Sequence, residues 1–322
     1  MKLLYVVHRY APFPGGSEIY VQGMAEESLR RGHEVAVFTG EHRGNHNGVT
    51  VTSDQSILLN NWDLIVVHGG DVYVQDFVLS NASRIPSPIL YLIVLPSNSA
   101  VCVQAMHDCA AIGCSTNQDF QHCQEHGVSS KAVRIRHGIT WQDCMGEPGF
   151  KAKHGITGRM FLSCGGYWPN KAMRELASTF ELANPRDAVL VTTGYDNRMD
   201  LMPRENQLVK PLLIDDRKEV LSAIHDADCL IMHSHQEGFG LVLLEAMLNQ
   251  TPWIARRIAG ADLMKQFGQT YETDGELIYR IKTFDRKDFD IEDAYNHVSQ
   301  NHLIVNTVDD IEQSIMHLRR TS

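Results

Sequence analysis

No apolar run in the sequence approaches the roughly 20 residues needed to span a bilayer, so no membrane-crossing helix is expected. Positive charge is also scarce. The chain has 29 Lys and Arg against 39 Asp and Glu, a formal charge of −10. Non-specific binding to nucleic acid needs clustered cations, so no nucleic-acid partner is expected. A neutral or lipid-linked partner stays compatible, with at most peripheral membrane contact. The seven cysteines are odd in number and form no Cys-x-x-Cys pair. That speaks against a disulfide framework and for a reducing, cytoplasmic setting. No G-x-G-x-x-G follows the first strand, so the dinucleotide fingerprint is lacking. The first seven residues are too short for a signal peptide, lack its cleavage site, and read as a strand.

What is present reads as a two-domain α/β enzyme. The length of 322 residues suits two domains, and 43% hydrophobic with 21% charged residues leaves ample core. Residues 3–7, 63–68 and 89–95 are the apolar runs of central parallel strands covered on both faces. Val21, Met24, Ala25, Ser28 and Leu29 repeat at helical spacing before Gly32, and residues 34–39 make the next strand. This βαβ unit puts Gly15-Gly16 at the carboxyl end of the first strand, where open α/β sheets bind ligands. His8 and His68 stand at strand ends. Cys102, His107, Cys109, Cys114, His122, Cys123 and His126 crowd one stretch, but their spacing lacks the paired ligands of zinc sites, and residues 111–115 explain Cys114 as a core strand. A first domain over residues 1–145 and a linker over 146–158, with Gly146, Pro148, Gly149 and Gly155, are expected.

The second half begins with a strand over residues 159–164. A helix predicted from Asn170 has Ala172, Met173, Leu176, Ala177 and Phe180 on one face. Lys171 would then sit in its first turn, against the dipole preference, which hints at a phosphate partner. Further strands are predicted at 188–193, 208–214 and 253–255, a helix at 217–225, and two terminal helices near 291–300 and 308–320. The second domain is assigned to residues 159–322. No short-period repeat is visible, only two similar α/β halves.

The chain is organised around residues 229–256. Residues 229–232 are an apolar strand, 233–236 a polar break containing His235, and 241–248 a helix stopped before Pro252. Between them lies Glu237-Gly238-Phe239-Gly240. Its glycines let the backbone approach a ligand and aim N–H groups at an anion before a helix. Glu245 follows Glu237 by eight residues. A carboxylate accepts both O–H donors of a cis-diol, so two of them around an anion-binding loop suit a nucleotide-sugar.

This stretch resembles the E-x7-E signature of the retaining family-four glycosyltransferases with the GT-B fold. The opening "P-x-x-G-G-x-E … R-G-H-E-V" is similar to the start of the same family, and the resemblance covers nearly the whole chain. It implies two Rossmann-like domains facing each other across a cleft, with the donor held mainly by the second. It implies transfer of a hexose from a nucleotide-diphosphate sugar to a hydroxyl acceptor (glycan, lipid-linked or small molecule) with retention. Carried over, the catalytic roles fall on Glu237 and Lys171, with His68 as the substitute for the family His that this chain lacks. Donor contacts fall on Gly16, Gly165, His235, Gly238, Phe239, Gly240, Leu241 and Glu245, and the acceptor side on Gly15 and His8. Residues 258–260 match the family's loop near the donor. No Asp-x-Asp pair is placed where a ligand-facing strand ends, so no metal or other cofactor is expected. The chain departs from the family twice. Gly166 stands where "G-R-x-x-x-x-K" has its Arg, and Pro96-Ser97 where many members have a His. These departures leave two rivals: a catalytically silent nucleotide-sugar-binding protein, and an epimerase or phosphorylase on the same fold.

Overall fold

The computed structural model describes the chain except Pro14, His42, Asp71, residues 195–199 and Ser322, and the side chains of Ala259, His317, Arg319, Arg320 and Thr321. The chain divides into two units, one of Met1–Thr140 with Asn301–Ser322 and one of Trp141–Gln300.

The first unit carries strands β1 (Lys2–Val6), β2 (Glu34–Phe38), β3 (Gly44–His46), β4 (Val49–Thr52), β5 (Leu64–His68), β6 (Ile89–Leu92), β7 (Ala111–Cys114) and β8 (Ala132–Arg134). They form one sheet in the order β3-β4-β2-β1-β5-β6-β7-β8. Among these strands only β3 runs antiparallel to its neighbour. Helices α1 (Gly16–Arg30), α2 (Tyr73–Ser80), α3 (Ala100–Asp108) and α4 (Asn117–Glu125) connect them. All five residues of β5 are buried, as a strand covered on both faces requires. The last strand, β8, is short, and beyond Arg134 Ile139 forms an isolated bridge to Leu303.

The second unit holds β9 (Arg159–Cys164), β10 (Ala188–Gly194), β11 (Val209–Leu213), β12 (Cys229–Met232), β13 (Trp253–Arg256) and β14 (Gln269–Tyr271). Their order is β11-β10-β9-β12-β13-β14, and every pairing is parallel. Pro211 lies in β11, an edge strand, where a missing N–H is tolerated. The helices are α5 (Trp141–Cys144), α6 (Phe150–Lys153), α7 (Met173–Ala183), α8 (Arg217–Asp226), α9 (Leu241–Leu248), α10 (Ala259–Leu263), α11 (Asp274–Thr283) and α12 (Ile291–Asn301). The core packs Phe161 edge-on against Phe180, with Leu176, Leu190, Ile231 and Ile254 around them.

Two expected boundaries are corrected. The proposed linker contains α6, whose Phe150 is buried, and the segment is tied to this unit by its backbone. The Gly146 and Lys151 N–H groups donate to Asn249 and Asp226. The last helix, α13 (Ile304–Thr321), belongs to the first unit and not to the second. Arg136 forks onto Asp310 at 2.7 and 2.9 Å, and Arg31 reaches Asp309 at 2.8 Å and Glu312 at 3.1 Å. The Ile139 N–H donates to the His302 carbonyl and the Ile304 N–H to the Ile139 carbonyl, both at 2.9 Å. Gly138 makes this possible, since a Cβ there would lie 2.3 Å from the Leu303 carbonyl oxygen.

Among the described residues no helix is long and apolar enough to cross a membrane.

Candidate functional site

Parallel sheets bind ligands where neighbouring connections leave in opposite directions at the carboxyl ends of the strands. In the second unit that switch point lies between β9 and β12. The segments that leave these two strands are residues 165–172 and 233–240, which hold most of the predicted donor residues.

β9 ends in Cys164-Gly165. Gly165 has φ +144°, a conformation glycine adopts without strain. The Lys171 side chain lies across Gly165, with Nζ 3.7 Å from where a Cβ would sit. Tyr167 is fully buried, and its hydroxyl stands 3.1 Å from the Thr192 and Leu212 carbonyls, which anchors the segment to β10 and β11. Lys171 does not begin the long helix. Pro169–Lys171 is a separate 3-10 turn, and Ala172 then takes a left-handed conformation (φ 51°, ψ 35°) before α7 starts at Met173. A non-glycine residue seldom adopts that conformation, and here it lifts Lys171 clear of the helix.

Opposite this turn, β12 leads into His233 and Ser234, both buried. Arg256 donates to His233 Nε2 at 3.0 Å, so the ring proton sits on Nδ1, 2.5 Å from the Tyr271 hydroxyl. Burial, with Arg256 adding to it, pulls the imidazole down to about 4, so His233 is neutral at pH 7. Glu237 follows. Its Oε1 accepts from Ser234 Oγ at 2.6 Å and from Lys171 Nζ at 2.5 Å. The His235 N–H donates to the Asn170 carbonyl at 2.8 Å, and Asn170 Nδ2 donates to the Gln236 carbonyl at 3.2 Å. The two segments are thereby stapled together. The His235 ring is half exposed and lies 3.0 Å from Glu175.

Gly238 is partly exposed, while Phe239 and Gly240 are buried under it. Gly240 (φ +86°) turns the chain into α9, which begins at Leu241. Gly260, at the start of α10, packs on this turn so closely that a Cβ would lie 1.6 Å from the Phe239 carbonyl oxygen. Residue 260 of the 258–260 loop therefore packs against the acidic loop. Glu245, 7% exposed, projects from α9, and its Oε1 accepts from Arg217 Nη2 at 2.5 Å. Burial alone would lower the Arg217 guanidinium, but the adjacent Glu245 more than reverses this, so the arginine is firmly charged.

The two ion pairs share a neighbour. Burial, and after it Glu245, push the Cys164 thiol up to about 12 against the opposing charges of Arg217 and Lys171. Lys171 thus ties Glu237 to the segment that leaves β9, and Glu245, held by Arg217, lies in the helix that follows the same loop. Within these pairs the described residues take only one oxygen of each carboxylate, which leaves Oε2 of each open.

The remaining predicted residues lie in the first unit, at its own switch point between β1 and β5. Gly15 and Gly16 open α1, and the Glu18 carboxylate folds back over Gly15 to within 2.1 Å of a notional Cβ. Glu18 is buried and accepts from Arg9 Nε at 3.2 Å, so an acid already sits at this helix start. Pro14 of the same turn lies outside the described residues. His8 is partly exposed, with Nε2 3.6 Å from Glu41. His68 is buried against the Tyr20 ring at 5.3 Å, and burial pulls it to about 4. It is neutral at pH 7 and shut off from solvent. Cys114 and Cys123 are buried thiols 3.5 Å apart, and among the described residues no three of His, Cys, Asp and Glu are grouped to hold a metal ion.

Sequence reasoning missed Arg217, Ser234 and the stapling Asn170. Arg217 was within reach, because it opens α8 as a cation at a helix N-terminus, the same anomaly that singled out Lys171.

Residues 158–281 match the family model described as Glycosyl transferases group 1. No curated protein matches the chain by sequence. Among solved structures, a sucrose-phosphate synthase from Thermosynechococcus elongatus superposes with a TM-score of 0.80 at 14% identity, covering 99% of both chains. Anabaena Alr3699/HepE in complex with UDP-glucose superposes with a TM-score of 0.78 at 16% identity, covering 98% of this chain and all of the other. An alpha,alpha-trehalose-phosphate synthase from Burkholderia xenovorans, in complex with glucose-6-phosphate, gives 0.78 at 13% identity with the same coverage. At these identities the likeness establishes a shared fold, with two parallel-sheet Rossmann-like units.

Proposed function

We propose that this chain, a glycosyltransferase of GT-B fold whose residues 158–281 form a group 1 domain, moves a hexose from a nucleotide-diphosphate sugar to a hydroxyl acceptor with retention and without a metal. One observation carries the reading: at the sheet's switch point Glu237, on the segment leaving β12, is paired with Lys171 on the segment leaving β9, and Glu245, paired with Arg217, stands in the helix that follows. The free oxygen of Glu245 suits a ribose diol, and that of Glu237 suits sugar hydroxyls. Lys171 spends one of its three donors on Glu237 and keeps two for phosphate oxygens. As the glycosidic bond breaks, an oxocarbenium-like sugar leaves negative charge on the diphosphate. Lys171 and the N–H groups following Glu237 meet that charge from fixed positions. Anabaena Alr3699/HepE was crystallised with UDP-glucose, with UDP and glucose, and with UDP, which supports a nucleotide-sugar as the donor class here. We assign the acceptor to the first unit, at Gly15 and His8. His68, buried and neutral, would act there by hydrogen bonding and not as a proton acceptor.

The test is a melting-temperature panel of UDP, GDP, ADP and their glucose conjugates, since a ligand of the folded state raises the transition. One nucleotide family should stabilise the protein. Glu245→Gln should weaken the free nucleotide by about tenfold or more, a charge-assisted hydrogen bond being lost. Glu237→Gln should spare the nucleotide and reduce sugar turnover. Equal and negligible effects from both would remove the assigned roles. Gly166 favours a second reading, a silent nucleotide-sugar-binding protein, because one cation of the resembled pattern is absent there. That reading requires donor binding with neither hydrolysis nor transfer across an acceptor panel.

A further inference from the structure

We propose that Trp168 binds the diphosphate of the donor, its indole N–H standing in for the side chain that Gly166 lacks. The inference rests on the reading of the site as a nucleotide-sugar site. A Cβ added to Gly166 would lie 2.3 Å from Trp168 Nε1 and 2.5 Å from its Cδ1. The indole therefore fills the space into which any side chain at 166 would grow. On the adjoining residue, Gly165, lies the Lys171 side chain. Two nitrogen donors, one charged and one neutral, are thus held over consecutive glycines at the end of β9.

The turn that carries the indole is fixed. The Trp168 N–H donates to the Gly166 carbonyl at 2.8 Å, and the Lys171 N–H to the Trp168 carbonyl at 3.0 Å. Asn170, in the same turn, makes both staples to residues 235 and 236 beside Glu237. The backbone of Trp168 is thereby held beside the acidic loop, and its indole turns only about its own side-chain bonds. Its ring is nevertheless 38% exposed, whereas Trp253 is wholly buried and Trp62 Nε1 donates to the Ile57 carbonyl. A large exposed ring on a rigid turn, with no hydrogen-bond acceptor at Nε1 among the described residues, is built to meet a ligand. The indole nitrogen is a donor only, so it selects an acceptor. The phosphates are the acceptor-rich part of the donor.

The experiment titrates the wild type, Trp168→Phe, Trp168→Ala and Gly166→Ala by calorimetry. The probes are the matching nucleoside monophosphate, diphosphate and diphosphate-glucose of whichever base among U, G and A the melting panel selects. Phenylalanine keeps the ring and loses the N–H, and Gly166→Ala displaces the indole without altering Trp168. All three variants should bind the diphosphate and its glucose conjugate roughly tenfold more weakly and the monophosphate unchanged. In the wild type the diphosphate should change the tryptophan emission, and Trp168→Phe should abolish that change. Wild-type diphosphate affinity in Trp168→Phe, or an equal loss for the monophosphate, overturns the assignment of Trp168 and leaves the site standing. A wild type that binds none of the nucleotides overturns the site and this inference together.

Discussion

Arg217 and Lys171 are cations held close to the start of a helix, a place that otherwise favours anions, and each is answered by a glutamate. Arg217 also touches Cys144 Sγ at 3.5 Å, inside a region buried enough to push that thiol up to about 12. Removing one member of such a pair leaves the other charge buried alone. Arg217→Met should therefore cost about 2 kcal/mol in denaturant unfolding, with Arg217→Met/Glu245→Gln recovering more than half of it. A double variant no more stable than the single one would show that the guanidinium acts by packing. At this scale Lys171 was legible because it goes against the preference of a helix start, the loop glycines because they interrupt strand and helix, and the two glutamates through their resemblance to the E-x7-E signature. Ser234 breaks none, and its bond to Glu237 could be seen only in the fold.

Among the elements, α13 is the one whose placement the local pattern left open. Its periodic apolar residues announce a helix, but a stripe of Val308, Ile311 and Ile315 can be buried against either unit. Gly138 and Arg136 decide the matter, one by close approach and one by its paired hydrogen bonds. Gly138→Ala must push against main-chain atoms of Leu303 and Ile304, which have no rotamer to change. A loss of about 1–3 kcal/mol is expected, read as a lower melting temperature and faster proteolysis at residues 301–304. A melting curve equal to wild type would mean that the return segment is loosely seated. Helix α11 went unread for a different reason. Its buried residues are Leu277 and Ile281, one apolar pair set among charged residues.

For the whole molecule, the buried histidines set the response to acid. Burial holds His68 at about 4 and His137 at about 3, the latter also lowered by His68 and His302, and it holds His233 at about 4 in the second unit. In the unfolded chain each returns to an ordinary value near 6.5. The unfolded state therefore binds more protons between that value and the folded one, so stability falls as pH drops through this window. At pH 5 each histidine should have removed about 2 kcal/mol relative to pH 7.5. His68→Gln should flatten the fall in melting temperature between pH 7.5 and 5, whatever its effect at pH 7.5. An unchanged slope would place the acid sensitivity in the other buried histidines, His137 and His233.

Taken alone, the sequence determined the two α/β halves, most of the central strands and the glycine-rich turn before α9. Each of these is written in hydrogen-bonding and hydrophobic preferences that act over a few residues. Lys171 was marked by its place near a helix start, and Glu237 and Glu245 by their resemblance to the E-x7-E signature. Tertiary structure alone decided that Arg217 answers Glu245, that Trp168 covers Gly166, and that α13 closes on the first unit. Arg217 and Glu245 are 28 positions apart, and Arg136 and Asp310 are 174. Partnerships at such separations depend on which strand ends the sheet order brings side by side, and no local periodicity records that order.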